Sequence, residues 1–123
     1  MSKILITLKG SYLKARLNRN VPNGDFIYRM LPIKSKINTW GDEIYFSIPV
    51  NIPLEDAKEV VSLGDLGYWP PGSAFCIFFG LTPVSRGNEI RPASAVSVFG
   101  KVNGDAGVFK EVKSRTKIMI DKG

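Results

Sequence analysis

Ser73-Ala74-Phe75-Cys76-Ile77-Phe78-Phe79-Gly80 carries no charge and is apolar at odd and even positions alike. A strand points successive side chains to opposite faces, so a strand with two apolar faces is central and covered on both. Pro70-Pro71-Gly72 before it is a tight turn. Gly64-Asp65-Leu66-Gly67-Tyr68-Trp69 reads as the preceding strand, and Leu81 to Asn88 as the following loop. Further out, Glu43 to Val50 is a strong strand with Ile44, Phe46 and Ile48 on one face, and Asn51-Ile52-Pro53 interrupts it. Leu54 to Val61 reads as a short helix or an extended loop. Ala95 to Val102 and Thr116 to Ile120 are strands, and Gly104 to Val112 has room for a helical turn.

The first forty residues begin with a hairpin. Ile4 to Leu8 is a strand, Lys9-Gly10-Ser11 a turn, and Tyr12 to Leu17 a half-buried return strand with Leu13, Ala15 and Leu17 on one face. Pro22 and Asp25 suit the first turn of a helix. Phe26, Ile27, Met30 and Leu31 give it an apolar stripe, and Pro32 ends it, so it spans about 22–30. Ile33 to Asn38 is a further strand, and Thr39 to Asp42 a turn. Short strands joined by Gly and Pro turns, with one helix, describe a mainly β, small closed barrel forming one domain over 1–123.

Composition removes whole chemistries. The 123 residues are 44% hydrophobic and contain no histidine and one cysteine. That excludes Ser-His-Asp and Cys-His systems, imidazole zinc sites and an intramolecular disulfide. Neither a metal nor a cofactor is expected. The first residues are too short an apolar stretch for a signal peptide, and no apolar run reaches the ~20 residues of a membrane span, so the expectation is cytoplasmic. The net charge of +6 is uneven: residues 1–40 carry +7, residues 41–70 carry −5, and residues 71–123 carry +4. The basic residues stand singly, which favours a solvated surface over a nucleic-acid partner, although folding can gather them on one face.

Few stretches carry chemistry. Gly64-Asp65-Leu66-Gly67 precedes a strand, so it is no phosphate cradle. Asp42-Glu43 and Glu55-Asp56 are acidic pairs, but neighbours on a strand diverge, and exposed turn acids are the plainer reading. Cys76 has no basic neighbour in sequence and reads as a buried thiol. Tyr68-Trp69-Pro70-Pro71-Gly72 is either an aromatic shelf for a ligand or a plug for one end of the barrel.

The order of segments resembles a cyclophilin. Val21-Pro22 with Tyr28-Arg29 and Leu31 resembles its first helix, V-P-x-T-x-x-N-F-R-x-L. Leu54-Glu55-Asp56, Gly64-Asp65-Leu66 and Gly72 to Ile77 resemble its F-E-D-E, G-x-L and G-S-Q-F-F-I segments. Val98 to Val102 matches V-F-G-K-V, and Lys117 to Ile120 resembles K-I-T-I. The chain is closer still to a small prokaryotic cyclophilin-like family, through Trp40 to Val50, Gly64 to Gly72, and Ile77 to Pro83. The resemblance implies the fold and leaves the function to individual residues.

Departures from the prolyl isomerases of the cyclophilin family are specific. The F-H-R and Q-G-G-D strands are replaced by the short Asn38 to Pro53 hairpin. The pocket glutamine is Ala74, the floor phenylalanine is Cys76, and the pocket tryptophan and histidine fall at Arg91 and Val96. Arg29, on the helix, is no substitute for the isomerase arginine. The resemblance therefore implies a groove-binding domain without conventional catalysis, taking a small apolar ligand or a peptide. By the register of that resemblance Trp69, Pro70, Ala74 and Cys76 are expected to face the groove, Phe78 to continue the face, and Tyr45 and Arg91 to form its rim. The enzymatic alternative is a residual prolyl isomerase with Arg86 or Arg91 reaching in from the loop. A third reading is nucleic-acid binding through the basic N-terminal third. No membrane role is expected, and the aromatic edge leaves a homodimer open.

Overall fold

A computed structural model describes residues 2–8 and 11–123. Among these residues, nine strands form one antiparallel sheet: β1 (Ser2–Leu8), β2 (Ser11–Leu17), β3 (Ile33–Lys36), β4 (Asn38–Thr39), β5 (Glu43–Ser47), β6 (Asp65–Trp69), β7 (Ala74–Phe78), β8 (Ser97–Val102) and β9 (Lys117–Lys122). The order is β3-β9-β1-β2-β8-β6-β7-β5-β4. Its two ends, β3 and β4, are separated in the chain by Ile37 alone, so the barrel is completed by the chain itself rather than by a further ladder. Ile37 is buried at that seam and exchanges backbone hydrogen bonds with Thr116 and Arg115. Lys9 and Gly10 of the expected hairpin turn lie outside the described residues, but the strands they join pair from Ser2–Leu17 to Leu8–Ser11. No helix among the described residues is long and apolar enough to cross a membrane.

The interior is filled by alternate residues of every long strand, among them Ile4, Ile6, Leu17, Phe46, Leu66, Tyr68, Phe75, Ile77 and Ile120. Phe75 stacks on Phe46 and meets Phe99 edge-on, both at 5.1 Å between ring centres. The Tyr68 hydroxyl is buried with them; it donates to the Val50 carbonyl and accepts from the Ile52 N–H, both at 3.2 Å. Tyr68 therefore points inward while Trp69 points outward, and the two do not share one shelf.

The helix α1 (Pro22–Met30) covers one end of the barrel through Ile27 and the extended residue that caps it, Leu31. Phe26, expected in its apolar stripe, is instead 51% exposed: the helix is short and buries a stripe narrower than the sequence pattern. Gly24 admits close approach, since a Cβ there would stand 2.0 Å from the Asn18 carbonyl oxygen. The opposite end carries a 3₁₀ segment, Ala106–Glu111, started by an Asp105 side chain that accepts from the Gly107 N–H at 2.8 Å. Residues 54–61 form no helix; they run as an irregular strap with bridges Lys58–Val96 and Val61–Ile90.

Candidate functional site

Strand β7 is buried on both faces. Phe75 and Ile77 enter the barrel, while Ala74, Cys76 and Phe78 form a second cluster outside it with Val61, Ile90 and Val96. Tyr45 and Gly67 flank Cys76 across the two ladders, and Trp69 and Ser47 flank Ala74. Tyr45 and Trp69 pack against the edge of this cluster. The face named from the sequence thus exists, but it is closed rather than an open groove. The strap at 58–61 and the segment at 90–96 lie over it. Gly67 allows this, because a Cβ there would meet Val96 Cγ2 at 3.1 Å and the Phe78 ring at 3.3 Å. Ala74, Cys76 and Phe78 are all fully covered.

The remaining candidates are held by their neighbours. The Trp69 indole N–H donates to Ser94 Oγ at 2.7 Å, and Gly72 lies against the ring. Pro70 opens the 3₁₀ turn Pro70–Gly72 and is half-buried. The Arg91 guanidinium donates to Glu89 at 3.0 Å from Nε and 2.6 Å from Nη2. Its backbone N–H donates to Ser85 Oγ at 3.2 Å, and its carbonyl accepts from the Thr82 hydroxyl. Arg86 is exposed on the same loop. A cleft of about 360 Å³ is lined by these arginines together with Glu59 and Ser94. Arg29 is paired with Asp25 on α1 at 3.0 Å, away from this face.

Glu43 was expected as an exposed turn acid and is instead 6% exposed, because it shares the covered outer face with Tyr45, Cys76 and Phe78. Its Oε1 has no hydrogen-bond partner among the described residues. Burial pushes its carboxyl up to about 7, and the Cys76 thiol beside it offsets part of that rise. The Cys76 thiol is itself pushed well up, first by burial and then by the Glu43 charge. It is a protonated, enclosed group, unlike a reactive thiolate. The period-two alternation of Glu43 with Tyr45 was the available signal for this burial.

A larger concavity, missed by sequence reasoning, opens at the barrel end opposite α1. It measures about 820 Å³ and reaches Ile6 and Leu8 of the core. Leu13, Val108, Phe109 and Val112 continue its apolar wall, and Ser11, Asp105, Glu111 and Lys113 give it a polar rim. Its lining comes from a hairpin and a 3₁₀ segment distant in sequence, so no local pattern marks it.

The comparisons with known proteins agree with this architecture. No curated protein matches the chain. The solution structure of a hypothetical protein from Archaeoglobus fulgidus matches with 38% identity and a TM-score of 0.81, over 99% of this chain and 95% of that one. The family model described as cyclophilin-like matches residues 2–121, nearly the whole of the nine-stranded barrel. The chain belongs to the cyclophilin-like family.

Proposed function

We propose that this protein is a binding domain that takes a small apolar molecule, or the apolar segment of a peptide, without conventional prolyl isomerase chemistry. One observation carries the reading: the cavity of about 820 Å³ at the barrel end, floored by Ile6, Leu8 and Phe109. Its size falls in the range of ligand sites, about 300–1,000 Å³, and an apolar floor with a polar rim is their usual lining. The site thereby moves from the cyclophilin-type groove, whose floor is covered, to the end of the barrel.

The test is a titration of isotope-labelled protein with apolar fragments and Xaa-Pro peptides, followed by amide chemical shifts. Shifts centred on Leu8, Leu13, Val108 and Phe109 are expected, and Val108→Glu abolishes them. Shifts centred instead on Trp69, Cys76 and Arg91 overturn the placement. If exchange peaks on the peptides accompany them, the non-catalytic reading falls as well.

A further inference from the structure

The basic residues that stand singly in the sequence are gathered by the fold. On the outer face of β3-β9-β1-β2-β8, cross-strand pairing puts Lys34 beside Met119, Met119 beside Thr7, and Thr7 beside Tyr12. Lys36 faces Lys117 in the next row. Leu5 lies between Asp121 and Lys14. Lys3 faces Arg16, and Arg16 faces Lys101. Neighbouring strands lie ~4.8 Å apart and successive outward residues of one strand ~7 Å apart, so these rows form one continuous surface.

Lys3, Lys14, Arg16, Lys34, Lys36 and Lys117 are exposed there, and among the described residues none of the six has an ion-pair partner. Lys101 is drawn to Asp65 at 3.7 Å, and Asp121 is the one carboxylate set among the six. A solvated face ordinarily mixes both signs, because like charges repel and destabilise the compact state. Here the fold separates them instead: residues 41–70, net −5, supply β5 and β6, of which only β6 borders this face, through β8. The surface is also not purely ionic. Tyr12 is 66% exposed at its border with the cavity at the barrel end, whose rim carries Asp105, Glu111 and Lys113. A depression of about 510 Å³, with Thr7 and Met119 in its lining, is bounded by Lys34, Lys36 and Lys117.

We propose that this face binds single-stranded nucleic acid, its cations meeting successive phosphates and Tyr12 stacking on a base. Cations along a track with an aromatic platform are the combination that single strands need. A duplex hides its bases and leaves Tyr12 without a stacking partner. The face lies apart from the covered face of β7 and shares only Tyr12 with the lining of the cavity at the barrel end, so the proposal does not depend on the ligand reading above.

The experiment is fluorescence anisotropy with a labelled oligouridylate of about 20 nucleotides, longer than the ~4–16 that one small barrel covers. Four to six phosphate contacts give a log–log salt slope of about −3 to −4, so affinity falls about fifty- to three-hundred-fold between ~50 and ~200 mM salt. Lys34→Glu with Lys36→Glu makes that slope shallower by about 1.4. Tyr12→Ala weakens binding about fivefold or more and leaves the slope unchanged. Lys58→Glu with Lys110→Glu, an equal change of charge off this face, has an effect within about twofold, the scale of unspecific long-range charge. Absence of binding at ~50 mM salt, or an equal loss in the two double variants, overturns the proposal. Tighter binding to phosphatidylserine-rich vesicles than to the oligonucleotide overturns the choice of partner. Equal affinity for a duplex of the same length overturns the single-stranded assignment.

Discussion

Replacing Glu43 with Gln removes a pH dependence that the wild-type protein carries through neutrality. The folded chain holds the Glu43 carboxyl up at about 7, against an ordinary value of 4.5, because burial penalises its charge. Between those values the unfolded chain has released a proton that the folded chain retains. The contribution is therefore fully present below pH 4.5 and is lost as pH rises through 7. The slope approaches ~1.4 kcal/mol per pH unit, for a total of about 3 kcal/mol and about 2 kcal/mol between pH 5.5 and 7.5. The window is clean, since the chain has no histidine. Ordinary carboxyls are ionised above ~5.5, and an α-amino group titrates near ~7.7–8.0. Urea unfolding, followed through Trp40 and Trp69 emission, measures the free energy at each pH. Glu43→Gln flattens the curve and raises stability at pH 7.5, less about 1 kcal/mol for an amide left without partners. A wild-type curve that is flat across the window would refute the reasoning, as would a Gln variant that keeps the slope.

Tyr68→Phe leaves the Val50 carbonyl and the Ile52 N–H without the hydroxyl they share, and lowers unfolding free energy by about 1–3 kcal/mol in urea denaturation. Phe26→Ser, on the half-exposed side of α1, lowers stability by about 0.7–1.5 kcal/mol in urea denaturation, half the effect of a fully buried side chain. Cys76 reacts with a thiol reagent only when the protein opens. Gly67→Leu wedges Val96 away and accelerates that reaction, while the far-ultraviolet circular dichroism stays that of the wild type. Glu89→Ala frees the Arg91 guanidinium without accelerating Xaa-Pro exchange, measured by exchange spectroscopy, because the face beneath stays covered.

Where local pattern and burial coincide, the fold was readable from the chain. The uninterrupted apolar run at Ala74–Phe78 marked a strand covered twice, and Pro22, Asp25 and Pro32 marked the bounds of α1. What was not readable depends on partners far along the chain. Glu43 alternates correctly with Tyr45, yet it is buried beside Cys76 and Phe78, whose cluster is completed by Val61, Ile90 and Val96 from segments with no periodic signal. Lys34 and Lys36, or Lys14 and Arg16, are visibly two apart. Their union into one face requires β9 and β1 to lie between β3 and β2, which joins the two ends of the chain. The cavity at the barrel end is hidden for the same reason: Leu8 and Phe109 meet across a hundred residues of sequence.

The cover over β7 sets a cost on any ligand that uses that face. A prolyl isomerase needs an open face on which to seat the proline and place a donor at its nitrogen, since the amide barrier is ~20 kcal/mol. Opening this face exposes Val61, Ile90 and Val96, each buried side chain stabilising by about 1.5–3 kcal/mol. It also breaks the backbone pairs Lys58–Val96 and Val61–Ile90 and the Trp69–Ser94 bond. The three side chains alone account for about 4.5–9 kcal/mol, which approaches the whole stability of a small domain, ~5–15 kcal/mol. At ~5.5 kcal/mol the open form is about one molecule in 10⁴, and apparent affinity falls by that same factor. A peptide with ~1 μM intrinsic affinity for the bared groove would then bind at ~10 mM. The cavity at the barrel end and the basic face require no such opening. The two sites proposed above therefore avoid a cost that any ligand of the β7 face would have to meet.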